Sequence, residues 1–260
     1  ASFLMMATLI SRVIGLLYKS PLSTVVGNVG MGYYGYANNV YVILLLISSY
    51  SIPMAVSKVV SERLALKQFR NAQRVFHGAL IYAVVVGGAA ALFAFFFGNY
   101  LLPVNQQEAM LALQMLAPTI FLSAILGVLR GFFQAHSTML PTSISQIIEQ
   151  IAHALVSVGA AWLFIGSFGK DEESIAIWGA AGGTLGTGAG VVVALIFMMI
   201  VYLVNRKTFM KRIANDKTSE VESMGSVLKI IFLMVTPIIF NTFIYNASSY
   251  FVWLYFVFLW

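Results

Sequence analysis

Between Lys19 and Lys58 the chain carries no charged side chain, and further uncharged runs cover 75–107, 109–129, 150–169, 174–205 and 230–260. A helix of roughly 20 apolar residues crosses the hydrocarbon core of a bilayer, so every one of these runs is long enough to span it. Inside lipid, backbone N–H and C=O groups must pair within the protein, and a helix is the one form in which a single segment pairs its own. A water-soluble alternative fails on composition. With 60% apolar and 9% charged residues, such a domain would expose more hydrocarbon than water tolerates.

Breaks at Gly, Pro and charge place spans near 3–19, 34–57, 76–101, 109–134, 141–167, 174–204 and 228–260. The expected fold class is therefore an all-α polytopic membrane protein. The first stretch reads as a span and not as a signal peptide, because Arg12 interrupts it and no small-residue cleavage site follows. The absence of Cys excludes a disulfide framework, a thiolate metal site and a cysteine nucleophile.

Charge sets the sidedness. All but Lys19 and Lys170 of the 15 basic residues fall at one set of ends. Lys58, Arg63, Lys67, Arg70 and Arg74 lie between the second and third spans, and Arg206, Lys207, Lys211, Arg212, Lys217 and Lys229 between the sixth and seventh, with Arg12 and Arg130 on the same side. The positive-inside rule then puts the N-terminus in the cytoplasm. The net charge of +6 is topological and does not point to nucleic acid, since the aromatic residues lie within the spans. The segment 206–229, the longest polar stretch, reads as a basic amphipathic linker along the membrane. It would divide a six-span lobe (1–205) from the start of a second lobe (230–260). A first residue Ala1 and a last residue Trp260 inside an apolar run fit one lobe and the beginning of another whose remainder lies outside this chain.

Ionisable groups at membrane depth are costly and are each a candidate for function. Arg12 and Lys19 stand seven residues apart, which puts them on nearly one helix face about 10 Å apart in depth. One face with two cations suits an anionic group moving along it, and snorkelling to the interfaces is the alternative. Arg130 and Glu149 flank the turn near Thr138 at similar distances along two antiparallel helices, which predicts a salt bridge fixing that hairpin. Gln146, Gln150 and His153 extend the polar face. Gly182, Gly183 and Gly186 belong to a run of small residues spaced four apart, the pattern that lets helices approach closely. Pro53, Pro118 and Pro237 sit where a span would kink or hinge. No nucleotide loop, metal-ligand spacing or hydrolytic constellation is present. That leaves a non-enzymatic role with no cofactor, driven by an ion gradient (sodium or protons), the membrane potential or the substrate's own gradient.

Four motifs carry a resemblance. They are Ser11-Arg12-Val13-Ile14-Gly15 with Lys19-Ser20-Pro21, Ser51-Ile52-Pro53-Met54-Ala55-Val56-Ser57-Lys58, Leu129-Arg130-Gly131-Phe132-Phe133-Gln134, and Pro141-Thr142-Ser143-Ile144-Ser145-Gln146-Ile147-Ile148-Glu149-Gln150. In this order they resemble the polysaccharide-flippase branch of the multidrug/oligosaccharidyl-lipid/polysaccharide exporter superfamily. Within it, the chain is most similar to the stage V sporulation protein B and YtgP group of Gram-positive cell membranes, related to MurJ-type lipid II flippases. The resemblance implies a fourteen-span, two-lobe transporter. It also implies an undecaprenyl-pyrophosphate-linked saccharide, such as the peptidoglycan precursor lipid II, as substrate, moved from the inner to the outer leaflet. The family's pyrophosphate-holding first-span cations match Arg12 and Lys19. Flippases of the MurJ type carry further arginines in the second span, where 41–51 here is uncharged. The alternative within the superfamily is an ion-coupled multidrug exporter, whose cationic substrates call for acidic cavity residues. A seven-helix receptor or retinal protein is disfavoured by the N-inside charge pattern and by a last apolar run that lacks a lysine.

Overall fold

The computed structural model describes residues 2–216, 218 and 220–259, with side chains for 5–216, 218, 220–241 and 244. The aromatic run 250–260 at the end of the expected seventh span thus lies outside the described side chains. Every regular element among the described residues is helical. Helix α1 (Ser2–Leu17) passes through Tyr18 into α2 (Lys19–Leu45), and a π-helical turn, Leu46–Tyr50, joins α2 to α3 (Ile52–Ala65). Then come α4 (Phe69–Phe97), α5 (Met110–Ala135), α6 (Leu140–Phe168), α7 (Glu172–Ala214) and α8 (Met224–Leu259). Six runs are long and apolar enough to cross a membrane: Lys19–Ala65, Phe69–Tyr100, Val104–Ala135, Leu140–Phe168, Glu172–Ala214 and Met224–Asn241. Met5–Leu17 is a shorter apolar helix.

The first arm runs further than expected. Tyr18 N–H donates to Ile14 O and Leu22 N–H to Tyr18 O, so the hydrogen-bond ladder continues past Lys19. Pro21 has no N–H for Leu17 O, which accounts for the irregularity at Tyr18. The chain breaks at Gly27, whose φ of 75° and ψ of 172° are open to glycine and strained for other residues. A second irregularity precedes Pro53. The proline removes the N–H that Ser49 O would accept, and the backbone widens into the π-helical turn just before it. Ser48 Oγ donates back to Leu44 O at 2.7 Å within the same stretch.

Small side chains recur in the interior beside large ones such as Phe132, Leu116 and Ile120, and many large apolar side chains face outward. Ala37, Ala79, Ala83, Ala117, Ala124, Ala161, Ala181 and Ala194 are buried, while Phe96, Tyr100, Leu155, Trp162, Leu203 and Val204 are exposed. This departs from the water-soluble pattern. It suits helices held by close backbone approach in a medium as apolar as their own side chains. The α6–α7 pair shows the mechanism. A Cβ at Gly182 would meet Ala160 O at 2.6 Å, one at Gly190 would meet Glu149 O at 2.6 Å, and one at Gly186 would run into Ser157. Gly183 faces Leu22 and Tyr34 of α2, and Gly179 stands between Ile165 of α6 and Val26 of α2. Within the expected small-residue run, then, 182, 186 and 190 form the seam with α6, 183 admits the first arm, and 179 touches both. On α5, Gly127 and Gly131 admit Pro53, and a Cβ at Gly131 would meet Pro53 O at 2.6 Å.

The basic turns gather at one end of the bundle. Ser61 Oγ donates to Ala135 O at 3.4 Å, which joins the end of α3 to the end of α5. Asp216, Glu220 and Glu222 dock on the α3–α4 turn. Asp216 Oδ2 accepts from Arg70 N–H at 2.6 Å, and Asn71 receives Glu222 N–H at 3.0 Å while donating to Glu220 O at 3.2 Å. Arg63 Nε lies 2.7 Å from Glu222 Oε1, an ion pair in which the N–H is not aimed at the oxygen. Helix α7 continues through Arg206–Arg212 to Ala214, and α8 opens at Met224. Most of the segment expected as a separate linker, 206–229, therefore belongs to the ends of two long helices. Glycine and proline are absent from 191–216, so nothing stops α7 where its apolar run ends. Its N-terminus is held by a capping box, in which Asp171 accepts from Ser174 N–H at 3.0 Å and Ser174 Oγ accepts from Asp171 N–H at 3.0 Å.

Candidate functional site

Two adjoining clefts open on one face of the bundle. The larger, about 740 Å³, is lined by Tyr41, Ser49, Pro53, Ser57, Lys58 and Ser61 from the α2–α3 arm, Ser123, Arg130 and Gln134 from α5, and Gln146 and Glu149 from α6. The smaller, about 330 Å³, is lined by Thr8, Ser11, Arg12 and Gly15 of α1 together with Arg130, Gln146, Glu149 and Gln150. Arg130, Gln146 and Glu149 line both, so one continuous surface leads from Arg12 to Lys58.

The ion pair forms its centre. Arg130 Nη2 donates to Glu149 Oε2 at 2.6 Å and Arg130 Nε donates to Ser145 Oγ at 3.0 Å. Ser145 in turn donates to Thr142 O at 2.7 Å, which fixes the guanidinium plane. The side chains keep 15% and 21% of their exposure, so the pair stands in the cleft wall and is not sealed within the core. Arg12 and Lys58 are exposed, and neither is ion-paired among the described residues. Two buried oxygens beside Arg12, Ser11 Oγ and Gln146 Oε1, have no hydrogen-bond partner among the described residues. Buried polar atoms normally find partners, and these two flank a cleft. The cleft thus combines three cations, one carboxylate already engaged by a cation, and unsatisfied polar groups.

Behind the cleft a polar network ties the first arm to its neighbours. Tyr18 and Tyr34 share a hydrogen bond between hydroxyls at 3.1 Å. The Tyr18 ring lies 4.8 Å from that of His153, and His153 Nε2 is 3.2 Å from Thr187 Oγ1. His153 is thereby engaged in packing and hydrogen bonding between α1, α6 and α7. Gly15 has Gln150 Oε1 as its nearest neighbour, 3.6 Å from where a Cβ would stand, which keeps α1 against the polar face of α6.

Of the residues singled out from the sequence, Arg12, Arg130, Gln146, Glu149 and Gln150 converge on this surface, and Pro53 shapes its α2–α3 wall. Lys19 does not join them. It is exposed and lines neither cleft. Pro118 lies inside α5, five residues before Ser123 of the cleft wall. Lys58 was read in the sequence as one of the basic residues between the second and third spans, and the structure adds it to the cleft wall.

The bundle defines a polytopic helical membrane protein with a charged cleft on one face. Its fold is similar to one half of two solved structures: a MATE protein in the straight conformation, with TM-score 0.71 and 15% identity over 95% of this chain and 54% of that one, and a MOP superfamily transporter from Pyrococcus furiosus, with TM-score 0.68 and 14% identity over 96% and 54%. The chain belongs to the polysaccharide biosynthesis protein family, whose profile matches residues 1–256. Among curated relatives from Bacillus subtilis (strain 168), it is 26% identical to the lipid II flippase MurJ over 75% of this chain and 38% of that protein. It is 23% identical to stage V sporulation protein B over 95% and 46%. It spans less than half the length of these relatives.

Proposed function

We infer that this chain is the N-terminal lobe of a flippase that carries a lipid-linked saccharide, lipid II, from the inner to the outer leaflet by alternating access. The observation that carries this reading is the balance of charge in the cleft. Arg12, Lys58 and Arg130 face it, and Glu149, its sole carboxylate among the described lining residues, is held by Arg130. A pyrophosphate is a polyanion that such a surface grips through charge-assisted hydrogen bonds. A cationic drug would need a free carboxylate there. The uncharged stretch 41–51 fits the same reading, because Tyr41, Leu45 and Ser49 form a neutral wall while the cations come from Lys58 and Arg130 on either side. A second lobe would close the open face. The basic end, with the N-terminus, is cytoplasmic in this reading.

The test is outer-leaflet lipid II in cells that depend on the full-length protein. Arg12→Ala and Lys58→Ala each lower flipping by about tenfold or more at unchanged protein level, the size expected for losing one charge-assisted contact. Unchanged flipping in both variants excludes the cleft as the anion path. Cation-dependent dye efflux that requires Glu149 would support the multidrug alternative instead.

A further inference from the structure

At the basic end, away from the two clefts, a groove of about 610 Å³ lies between the α5–α6 turn and the last turns of α7. Its floor is apolar, made by Phe133, Met139, Leu140 and Phe209, and its polar lining comes from Ser137, Thr138, Asn205, Thr208 and Arg212. Asn205, Thr208 and Arg212 recur at three and four residues, which places them on one face of α7. We propose that this groove is a binding site for the headgroup of an anionic phospholipid, with Arg212 and the hydroxyls of Thr208 and Ser137 taking the phosphate and the apolar floor taking the glycerol and first acyl carbons.

Position selects a lipid over a free anion. Helix α7 has 43 residues, about 65 Å at 1.5 Å per residue, roughly twice the hydrocarbon thickness of a bilayer. Its charge-free stretch ends at Asn205 and the cations begin at Arg206, so the groove stands at the boundary between acyl chains and headgroups. Leu140, itself in the lining, is exposed, an apolar surface open to lipid chains. Charge selects an anion. Arg212 has no ion-pair partner among the described residues, and the nearest carboxylate along the chain, Asp216, is turned away to Arg70 N–H and Thr218. His136, also in the lining, has its Nδ1 at 2.9 Å from Phe132 O. Burial first, then the charge of Arg212, lower its proton affinity against the opposing pull of that hydrogen bond. At neutral pH the groove's positive charge is therefore that of Arg212.

The experiment uses the purified full-length protein in detergent, titrated with short-chain phosphatidylglycerol, phosphatidylcholine of the same chain length, or inorganic phosphate, with bound lipid counted by native mass spectrometry. Phosphatidylglycerol is expected to remain bound in preference to phosphatidylcholine, and inorganic phosphate at the same concentration should not displace it. Arg212→Gln weakens retention by about tenfold. Thr208→Trp, at an exposed position, fills the groove and abolishes it, and Lys207→Gln, a neighbouring cation outside the groove, leaves it unchanged. Equal retention of the two lipids, displacement by phosphate alone, or equal losses in the Arg212 and Lys207 variants would each overturn the proposal. Because the groove is separate from the Arg12–Lys58 surface, loss of lipid retention with normal flipping, or the reverse, tells this site apart from the transport reading.

Discussion

Arg130 and Glu149 are held to each other by a 2.6 Å contact in a wall that is mostly buried, and removing one member leaves the other's charge without a partner. Arg130→Ala is expected to destabilise the protein by about 3 kcal/mol, whereas the paired change to Arg130→Met with Glu149→Met recovers most of the loss, because a matched apolar pair leaves no orphan charge. Thermal unfolding in detergent separates the two outcomes. Asp216 gives a pH-dependent counterpart outside the spans. Burial works to raise its pKa, but hydrogen bonds from the Thr218 hydroxyl and from the N–H groups of Arg70 and Thr218 outweigh it and lower the value from 3.8. The stabilisation is present in full above the unfolded carboxyl's value and is lost as pH falls through the lower folded value. Proteolysis of the 215–223 connection should therefore accelerate as the pH is taken below about 4, the range where a free aspartate protonates. Asp216→Asn should show no such acid transition. These two residues also show the limits of the sequence. The Arg130–Glu149 contact was readable because both positions count back from one short turn. Asp216 was not, since its partner is a backbone N–H at the start of a helix 146 residues away, and no pattern in the chain marks that donor.

At the scale of the helices, α7 is the most informative, because its glycines serve two different neighbours. At Gly186 any Cβ overlaps Ser157 of α6, whereas at Gly159 a Cβ has nothing within 4 Å. Gly186→Ala should cost about 1–3 kcal/mol through overpacking, while Gly159→Ala should be neutral or stabilising by up to about 1 kcal/mol. Comparing melting temperatures of the two variants checks both directions, and equal effects would contradict the seam. The spans were legible because uncharged runs and Pro or Gly breaks obey the same limits that lipid places on a backbone. Gly27 fits this, lying between the first two expected spans. The ends of helices were less legible, for a physical reason. A helix requires hydrogen bonds and not apolarity, so the charged Arg206–Arg212 continues α7 beyond the point where hydropathy falls. The π-helical turn at 46–50 was also out of reach, since it comes from how the chain accommodates Pro53 against Gly127 and Gly131 of another helix.

For the molecule as a whole, sidedness and the open face are a single question. Ser137 is exposed at the end where the basic turns gather, Lys170 is exposed at the other end, and Ser57 is half-buried in the wall of the larger cleft. The chain contains no Cys, so a single introduced thiol reports its own position in a full-length protein otherwise free of cysteine. A membrane-impermeant maleimide applied to intact cells is expected to label Lys170→Cys and spare Ser137→Cys, with both labelled after permeabilisation. The reverse pattern would place the N-terminus outside and remove the charge-based topology. Ser57→Cys adds the transport cycle to this measurement. In a lobe whose cleft is covered by a second lobe and opened alternately to the two sides, its labelling depends on which side is open, and saturating lipid-linked substrate slows it. A thiol at 57 that labels at one rate from one side under every condition describes a static groove. Alternating exposure requires that rate to change while those at 137 and 170 stay fixed, because these two positions stand at the ends of the bundle and the cleft lies between them.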